Sequence, residues 1–156
     1  MIKGLFETHI NVSDLEKSAD FYENTLGLTL AYEDSRRCRF YWLGDESRKA
    51  MLGLWEKNPT QIISQHFAFE TSNENMKSIV PWLKERGLKV RNFLDDGTED
   101  PFVFGWVPAV SIYFRDPDGH SLEFISILPD EPQPELGVVA WEVWEKNHGR
   151  SLKLHK

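Results

Sequence analysis

The stretch LFETHINV at residues 5–12 decides the fold, because polar and apolar side chains alternate along it as in a strand with one buried face. His9 lies on the face opposite the apolar residues. Directly afterwards, Ser13 and Glu16 have the spacing of a capping box, which predicts a helix that ends at Gly27. The chain therefore begins with a strand that leads into a helix.

The same order starts again at residues 64–70, SQHFAFE, where His66 occupies the place that His9 has in the first copy. A second helix is predicted over residues 71–87, with an apolar stripe at helical spacing. Pro81 lies inside this helix and is expected to bend it, because proline removes one backbone hydrogen bond. The sequence thus contains an internal repeat.

Each predicted helix is followed by three predicted strands. These strands are residues 28–32, 37–43 and 50–55 in the first copy, and residues 88–93, 109–115 and 121–128 in the second. A tight turn at residues 116–119, DPDG, joins the last two strands, since proline presets φ and glycine accepts a positive φ. Residues 44–47 are predicted to form the corresponding turn in the first copy.

The predicted fold class is α+β, with two βαβββ modules that form curved mixed β-sheets. The modules span about residues 4–57 and 64–128, and together they form one domain over residues 1–128. The remaining residues, 129–156, are predicted to be a Pro-rich linker, a C-terminal helix over residues 135–148 and a basic tail.

Composition and charge narrow the function classes. The chain has 156 residues, of which 18 are Lys or Arg and 25 are Asp or Glu, so its net charge is −7. A negative field repels nucleic acid and anionic lipid, and no apolar run approaches the roughly 20 residues of a membrane span. The lone Cys38 fits a reducing cytoplasm. We expect a cytoplasmic enzyme or small-molecule binder, with no nucleic-acid or membrane partner.

Three side chains form a candidate metal site. His9 and His66 take equivalent places in their strands, and alternation puts Glu123, a lone acid in an apolar strand, on the same face. Two imidazoles and one carboxylate form a facial ligand set that suits Fe, Mn, Zn, Ni or Co and leaves coordination positions open. The predicted cofactor is one divalent metal ion held by these three residues.

Several segments resemble the vicinal oxygen chelate superfamily, which includes glyoxalase I, extradiol dioxygenases, fosfomycin-resistance transferases and bleomycin-binding proteins. They are His9, residues 12–18 (VSDLEKS), residues 26–28 (LGL), His66 and residues 116–123 (DPDGHSLE). The resemblance covers about residues 4–128. It implies paired βαβββ modules, a homodimer, and curved sheets that enclose a metal ion able to chelate vicinal oxygens of a substrate. It also implies that His9, His66 and Glu123 are the ligands.

One position departs from the pattern of glyoxalase I. The resemblance implies that glyoxalase I has, unlike its relatives, an additional carboxylate ligand in its first module. The repeat alignment puts Gly53 at that position. Glu56, the nearest acid, has the opposite strand parity, so only a slip or bulge would bring it to the site. The departure disfavours glyoxalase I chemistry, which uses that carboxylate as a base.

The leading hypothesis is a divalent-metal-dependent enzyme that acts on a small substrate with vicinal oxygens, as a glyoxalase-like lyase or an extradiol-type dioxygenase. A thiol or epoxide transferase of the fosfomycin type is less favoured, because the region of its cationic loop corresponds here to the acidic residues 95–100. The alternative is a non-enzymatic protein of the bleomycin-resistance type that sequesters a small molecule.

Four further side chains are predicted to line the substrate pocket, namely Asn11, Phe104, Trp106 and Tyr113. Asn11 shares the inward face of His9, with capping of the strand end as its competing role. Tyr113 is a candidate proton donor, whereas the two other aromatic residues belong to residues 95–108, which are predicted to form an irregular, mobile lid. His120, in the turn after the glycine, is predicted to face solvent.

Overall fold

The computed structural model describes residues 1–44 and 50–155, so most of the turn predicted at residues 44–47, and the last residue of the predicted tail, lie outside the described residues. The chain divides into two compact units. Unit 1 consists of Met1–Gln65 and Asp116–His120, and unit 2 of His66–Arg115 and Ser121–Lys156. Each unit contains one mixed sheet, which confirms the α+β class.

Unit 1 has the predicted βαβββ order. Its elements are β1 (Glu7–Val12), α1 (Leu15–Asp20) continued by a π-helical turn (Phe21–Thr25), β2 (Thr29–Asp34), β3 (Cys38–Leu43), β4 (Ala50–Glu56) and a 3-10 turn (Pro59–Gln61). The strand order is β1-β4-β3-β2, with β1 parallel to β4 and the other pairs antiparallel. The first and last strands of the module therefore lie side by side.

The start of α1 differs from the predicted capping box. Asp14 is the N-cap, and its carboxylate accepts a hydrogen bond from the N–H of Lys17 at 3.0 Å. Ser13 instead donates its N–H to the carboxylate of Asp118 at 3.0 Å, and its hydroxyl donates to the same carboxylate. The prediction of Ser13 as the cap is wrong because the carboxylate of the 116–120 turn uses that serine.

Unit 2 repeats the module and adds a strand and a helix. Its elements are β5 (His66–Glu70), α2 (Asn73–Met76), α3 (Ile79–Glu85), β6 (Phe102–Phe104), β7 (Ala109–Arg115), β8 (Ser121–Ile127), a 3-10 turn (Pro134–Leu136), β9 (Val138–Ala140) and α4 (Trp141–Asn147). The strand order is β5-β8-β7-β6-β9, with only β5 and β8 parallel. No helix among the described residues is long and apolar enough to cross a membrane.

The helix predicted over residues 71–87 is two helices. The break falls at residues 77–78, so Pro81 is the third residue of α3. The N–H groups of a helix's first turn have no partner within the helix, so a proline there removes no helical hydrogen bond. Pro81 is therefore compatible with a straight α3. The expected bend at the proline is wrong, because the helix is instead interrupted before it, between α2 and α3.

The prediction of a strand at residues 88–93 is wrong. Within this segment only Arg91 forms a β-bridge, an isolated one to Tyr113. The side chain of Asn92 donates to Asp96 at 2.6 Å and to Thr98 at 2.8 Å, so it is bonded to the irregular segment that follows and not to a neighbouring strand. The missing strand is β6, which lies within residues 95–108. That segment is therefore not a wholly irregular lid.

The C-terminal segment belongs to the second sheet. The helix predicted over residues 135–148 is replaced by β9, which pairs with β6, and by the shorter α4. Trp144 of α4 is fully buried and donates its indole N–H to Asp130 at 2.7 Å. The Arg150 guanidinium donates to both oxygens of the same carboxylate, at 2.7 and 2.6 Å, and fastens the end of the helix.

The Asp130 contacts predict a pH-dependent stability. Arg150 lowers the pKa of Asp130 to about 2, so the contact stabilises the fold above the ordinary aspartate pKa and is lost as the pH falls toward 2. We expect Asp130→Asn to cost about 1 kcal/mol in urea unfolding at pH 6, after allowance for solvent screening. The difference from the wild-type protein should narrow between pH 5 and pH 2.5. An equal difference at both ends, or the same profile in the exposed control Glu135→Gln, would contradict this account.

Candidate metal centre

The inner face of the second sheet brings His66 and Glu123 together. His66 begins β5, and Glu123 lies on the neighbouring strand β8, opposite Tyr113 of β7. His66 Nε2 is 3.1 Å from Glu123 Oε2. The carboxylate residue is only 4% exposed, whereas the imidazole is half exposed, so a solute can reach the pair from the side of the histidine.

The tautomer of His66 follows from its other nitrogen. Nδ1 is 2.9 Å from the carbonyl oxygen of Ser121, and because a carbonyl can only accept, Nδ1 carries the proton. In the neutral imidazole the Nε2 lone pair then faces Glu123 Oε2. Either a proton or a metal ion between these two atoms would satisfy both, and a histidine oriented through its second nitrogen is the usual arrangement of a metal ligand.

The Glu123 carboxylate has an unused oxygen. Glu123 Oε1 and Ser111 Oγ on β7 are buried and form no hydrogen bond of normal geometry, although the hydroxyls of Ser111 and Tyr113 lie close enough to the carboxylate to lower its pKa. Burial raises the pKa of Glu123, an effect that the neighbouring polar groups partly oppose. A buried carboxylate oxygen without a partner is costly, and a divalent cation would remove that cost. Two ligands about 2.1 Å from one ion at a right angle are about 3 Å apart, so the pair fits a metal ion.

His9 belongs to the first sheet and lies opposite Gly53 of β4. Its ring packs against the aromatic rings of Phe40 and Trp55, with centroids 5.6 and 5.9 Å away. Its Nε2 is 3.5 Å from a carboxylate oxygen of Glu7, and the side chain is 40% exposed. Across residues 1–44 and 50–155 no three His, Cys, Asp or Glu side chains form a ready-made metal cluster, so the preassembled part is the His66–Glu123 pair.

Two further side chains flank that pair. The ring of Tyr113 is 5.8 Å from the ring of His66, and burial, with the nearby Glu123 carboxylate, raises the pKa of Tyr113 to about 12. Its phenol is therefore protonated at neutral pH. The Arg91 guanidinium lies over the Tyr113 ring at 4.9 Å and donates to Ser121 Oγ at 2.6 Å, while its Nε is buried without a partner.

Arg91 is a site residue that the sequence does not single out. Its neighbour Lys89 has the same charge in the same apolar segment, and no spacing distinguishes the two. Only the isolated bridge to Tyr113 shows which cation reaches the inner face. This bridge is a long-range contact that local patterns do not contain.

The predicted pocket residues are distributed over both units. Phe104 is buried against Ala109 and Tyr113, and its ring is 4.7 Å from that of Trp106, which is 54% exposed. Unit 2 therefore has an aromatic path from Tyr113 to the surface. In unit 1, Asn11 follows His9 on β1, and its backbone carbonyl accepts a hydrogen bond from His120 at 2.8 Å.

His120 does not face solvent, so that prediction is wrong. The side chain is fully buried, with Nε2 donating to Asn11 and Nδ1 accepting the N–H of Gln65 at 3.0 Å. Its own N–H donates to Asp116 at 2.8 Å, and Asp116 also accepts the Tyr22 hydroxyl at 2.9 Å. His120 can be buried because its two ring nitrogens satisfy backbone groups of unit 1.

The register of β4 corrects the repeat alignment by two residues. His9 lies opposite Gly53, whereas its counterpart His66 lies opposite Ser121. Trp55, not Gly53, therefore stands where the second module has Glu123. The parity argument for Glu56 is confirmed: its carboxylate accepts the N–H of Leu15 at 2.9 Å and pairs with Arg37 at 2.6 Å, on the helix side.

A profile of the Glyoxalase/Bleomycin resistance protein/Dioxygenase superfamily matches residues 4–124. The chain belongs to this superfamily. The resemblance to the vicinal oxygen chelate proteins is thereby confirmed.

Individual superfamily members support the same assignment. The chain is 33% identical to the metallothiol transferase FosB of Staphylococcus haemolyticus over 132 residues, which cover 79% of this chain and 83% of that protein. It is 28% identical to a lactoylglutathione lyase of Neisseria meningitidis, over 78% of this chain and 88% of the other. An integron cassette protein from the Halifax Harbour sewage-outfall metagenome has a similar structure, with a TM-score of 0.68, 35% identity and coverage of 81% and 100%.

Substitution of the buried His120 should lower the stability of the fold. His120→Ala would leave the Asn11 carbonyl and the Gln65 N–H without partners, and we expect unfolding by urea to show a loss of about 2–4 kcal/mol. His155→Ala, in the exposed tail, is the matched control and should change stability by less than about 0.5 kcal/mol. Equal stability of the two variants would show that the buried contacts contribute nothing.

Proposed function

We propose that this protein is an enzyme that depends on one divalent metal ion, with His66 and Glu123 as two ligands and His9 as the third. The observation that carries the proposal is the His66–Glu123 pair: His66 Nε2, oriented through Nδ1, lies 3.1 Å from a buried carboxylate whose second oxygen forms no hydrogen bond of normal geometry. The similarity to FosB, a metallothiol transferase, supports the same cofactor class.

The bound ion would supply Lewis-acid chemistry, because it polarises oxygens of a substrate and stabilises the negative charge that develops on them. The chain's own residues have separate tasks. Tyr113, protonated at neutral pH, holds a proton beside the His66–Glu123 pair. Arg91 offers a guanidinium for an anionic group of the substrate, in water-poor surroundings where such a contact is strong.

The proposed substrate is a small anionic molecule with two neighbouring oxygens. Arg91 supplies the positive charge that the acidic residues 95–100 do not, so an anionic substrate is favoured despite that segment. Asn11, Phe104 and Trp106 are proposed to line the pocket, as an amide hydrogen-bond partner and two apolar walls. A homodimer is part of the proposal, because the superfamily resemblance implies one.

We infer that the reaction is transfer of a thiol. In such a step the thiol first loses its proton to solvent, and the thiolate sulfur attacks a carbon. The S–C bond forms, the C–O bond breaks, and the oxygen keeps the electron pair and takes a proton, so no net proton is gained or lost. Tyr113 is placed to give that proton. The lyase reaction needs a carboxylate base in the first module, and neither Gly53 nor Trp55 can supply it, while Glu56 is engaged with Leu15 and Arg37.

Metal analysis tests the cofactor. Protein purified without added metal should contain about one divalent ion per chain, and His66→Ala and Glu123→Gln should lose it, because each removes a ligand. His155→Ala is the matched control and should retain the metal. No stoichiometric metal in the wild-type protein, or unchanged content in His66→Ala, would refute the enzyme proposal and favour a binding protein.

Thiol consumption tests the reaction. We expect metal-loaded protein to consume glutathione or another small thiol with fosfomycin, an epoxide that bears a phosphonate. Tyr113→Phe should lower kcat about 100-fold, since it removes the proton donor and leaves the ring. Conversion of the hemithioacetal of methylglyoxal, or oxygen consumption with catechol, without thiol transfer would favour the lyase or the dioxygenase instead.

The proposed role of Arg91 predicts that its positive charge strengthens the binding of an anionic ligand. Calorimetric titration of the metal-loaded protein with oxalate, a small dianion with vicinal oxygens, should show affinity about tenfold weaker in Arg91→Met, because the guanidinium contact is lost. Metal content should stay unchanged. Lys84→Met, which removes a cation paired with Glu99 at 2.7 Å, is the matched control and should bind oxalate like the wild type. Equal oxalate affinity in both variants would remove Arg91 from the site.

A further inference from the structure

We propose that Gly53 is a positioning residue for His9, because only a residue without a side chain leaves room for the imidazole at that place. The inference rests on the proposed metal site and concerns unit 1 alone. Gly53 cannot bind a metal ion itself, but in this proposal it determines where His9 can lie.

The packing around Gly53 is closed on the side of the histidine. A Cβ atom at residue 53 would lie 2.6 Å from His9 Cδ2, 3.1 Å from His9 Nε2 and 3.1 Å from Phe40 Cε1. Carbon atoms make favourable contacts at about 3.5–4.0 Å, so even a methyl group must displace a neighbour. The residue is buried, and both neighbouring strands hold its backbone in the sheet.

Two aromatic rings limit the directions in which the His9 ring can absorb that displacement. Phe40 and Trp55 contact each other and pack against the same side of the His9 ring, with the planes of His9 and Phe40 at 76°. Phe40 also lies opposite Gly53 in the β3–β4 register and contacts Trp55, with ring centroids 6.1 Å apart. The free direction is outward, where the side chain is exposed near Glu7.

The two histidines are therefore held by different means. His66 is oriented by a hydrogen bond from Nδ1 to the carbonyl of Ser121, a group that no side-chain substitution removes. His9 is oriented by packing in the gap above Gly53. Filling the gap should change the position of His9 and leave His66 untouched.

A double-mutant cycle on zinc affinity tests this inference, with metal-free protein competing against a chromophoric chelator. Gly53→Ala should weaken zinc binding about 10–100-fold, the range typical for partners that orient a ligand. In the His9→Ala background the same substitution should cause no further loss, because the residue that it displaces is gone. In the metal-free protein, NMR should show the His9 ring resonances of Gly53→Ala shifted and those of His66 unchanged.

The outcomes separate the inference from the proposed function. Wild-type zinc affinity in Gly53→Ala together with weakened binding in His9→Ala would overturn the role of Gly53 and leave the ligand set intact. Unchanged affinity in His9→Ala itself would overturn His9 as a ligand. Loss of affinity in both backgrounds would show that Gly53→Ala acts through the sheet instead of through His9.

A second variant guards against a failure of Gly53→Ala to fold. Gly53→Ala combined with Phe40→Leu removes the ring that crowds the new methyl group on one side, while the 2.6 Å approach to His9 Cδ2 remains. We expect this double variant to fold and to bind zinc at least tenfold more weakly than Phe40→Leu alone. Equal affinities would overturn the inference.

Discussion

The parallel pairing of the first and last strands of each module is the constraint on which the rest of the structure depends. In each module the chain runs from the first strand through a helical crossover and two further strands before it reaches the last strand. The last strand then lies beside the first, β4 beside β1 and β8 beside β5. Because side chains alternate across a sheet, one register decides which residues from the two ends of a module share a face. In unit 2 this register puts Glu123 on the inner face next to His66.

The inner face of unit 2 is arranged for binding at the expense of stability. A carboxylate oxygen, a serine hydroxyl and the Arg91 Nε are all buried without partners, and each such atom costs free energy. Other buried polar groups are satisfied, since His120 uses both ring nitrogens and Asp130 is bonded to Trp144 and Arg150, although Trp55 Nε1 and Asn92 Oδ1 also lack partners. Three of the five such atoms among the described residues therefore lie where a metal ion and an anionic substrate are proposed to bind.

Sequence patterns predict the parts of the fold that depend on local alternation. β1 and β5, their histidines and the parity of Glu123 follow from period-two patterns, and the structure contains all of them. Strand β6 could not be predicted, because its register depends on strands that flank it on both sides. Arg91 and the buried His120 were missed for a related reason, since their roles come from contacts between residues distant in sequence.

The relation between Gly53 and Trp55 shows how a register changes a chemical argument. With Gly53 aligned to Glu123, the first module has merely lost a carboxylate, and the glycine has no task. With Gly53 opposite His9, the same residue determines where the imidazole can lie, and Trp55 fills the carboxylate position with an aromatic wall against that imidazole. A carboxylate substituted at Trp55 would stand in the repeat position of Glu123, whereas one at Gly53 would displace His9. Whether the proposed site has three or four ligands thus depends on residue 55, two positions after the glycine that the repeat alignment pairs with Glu123.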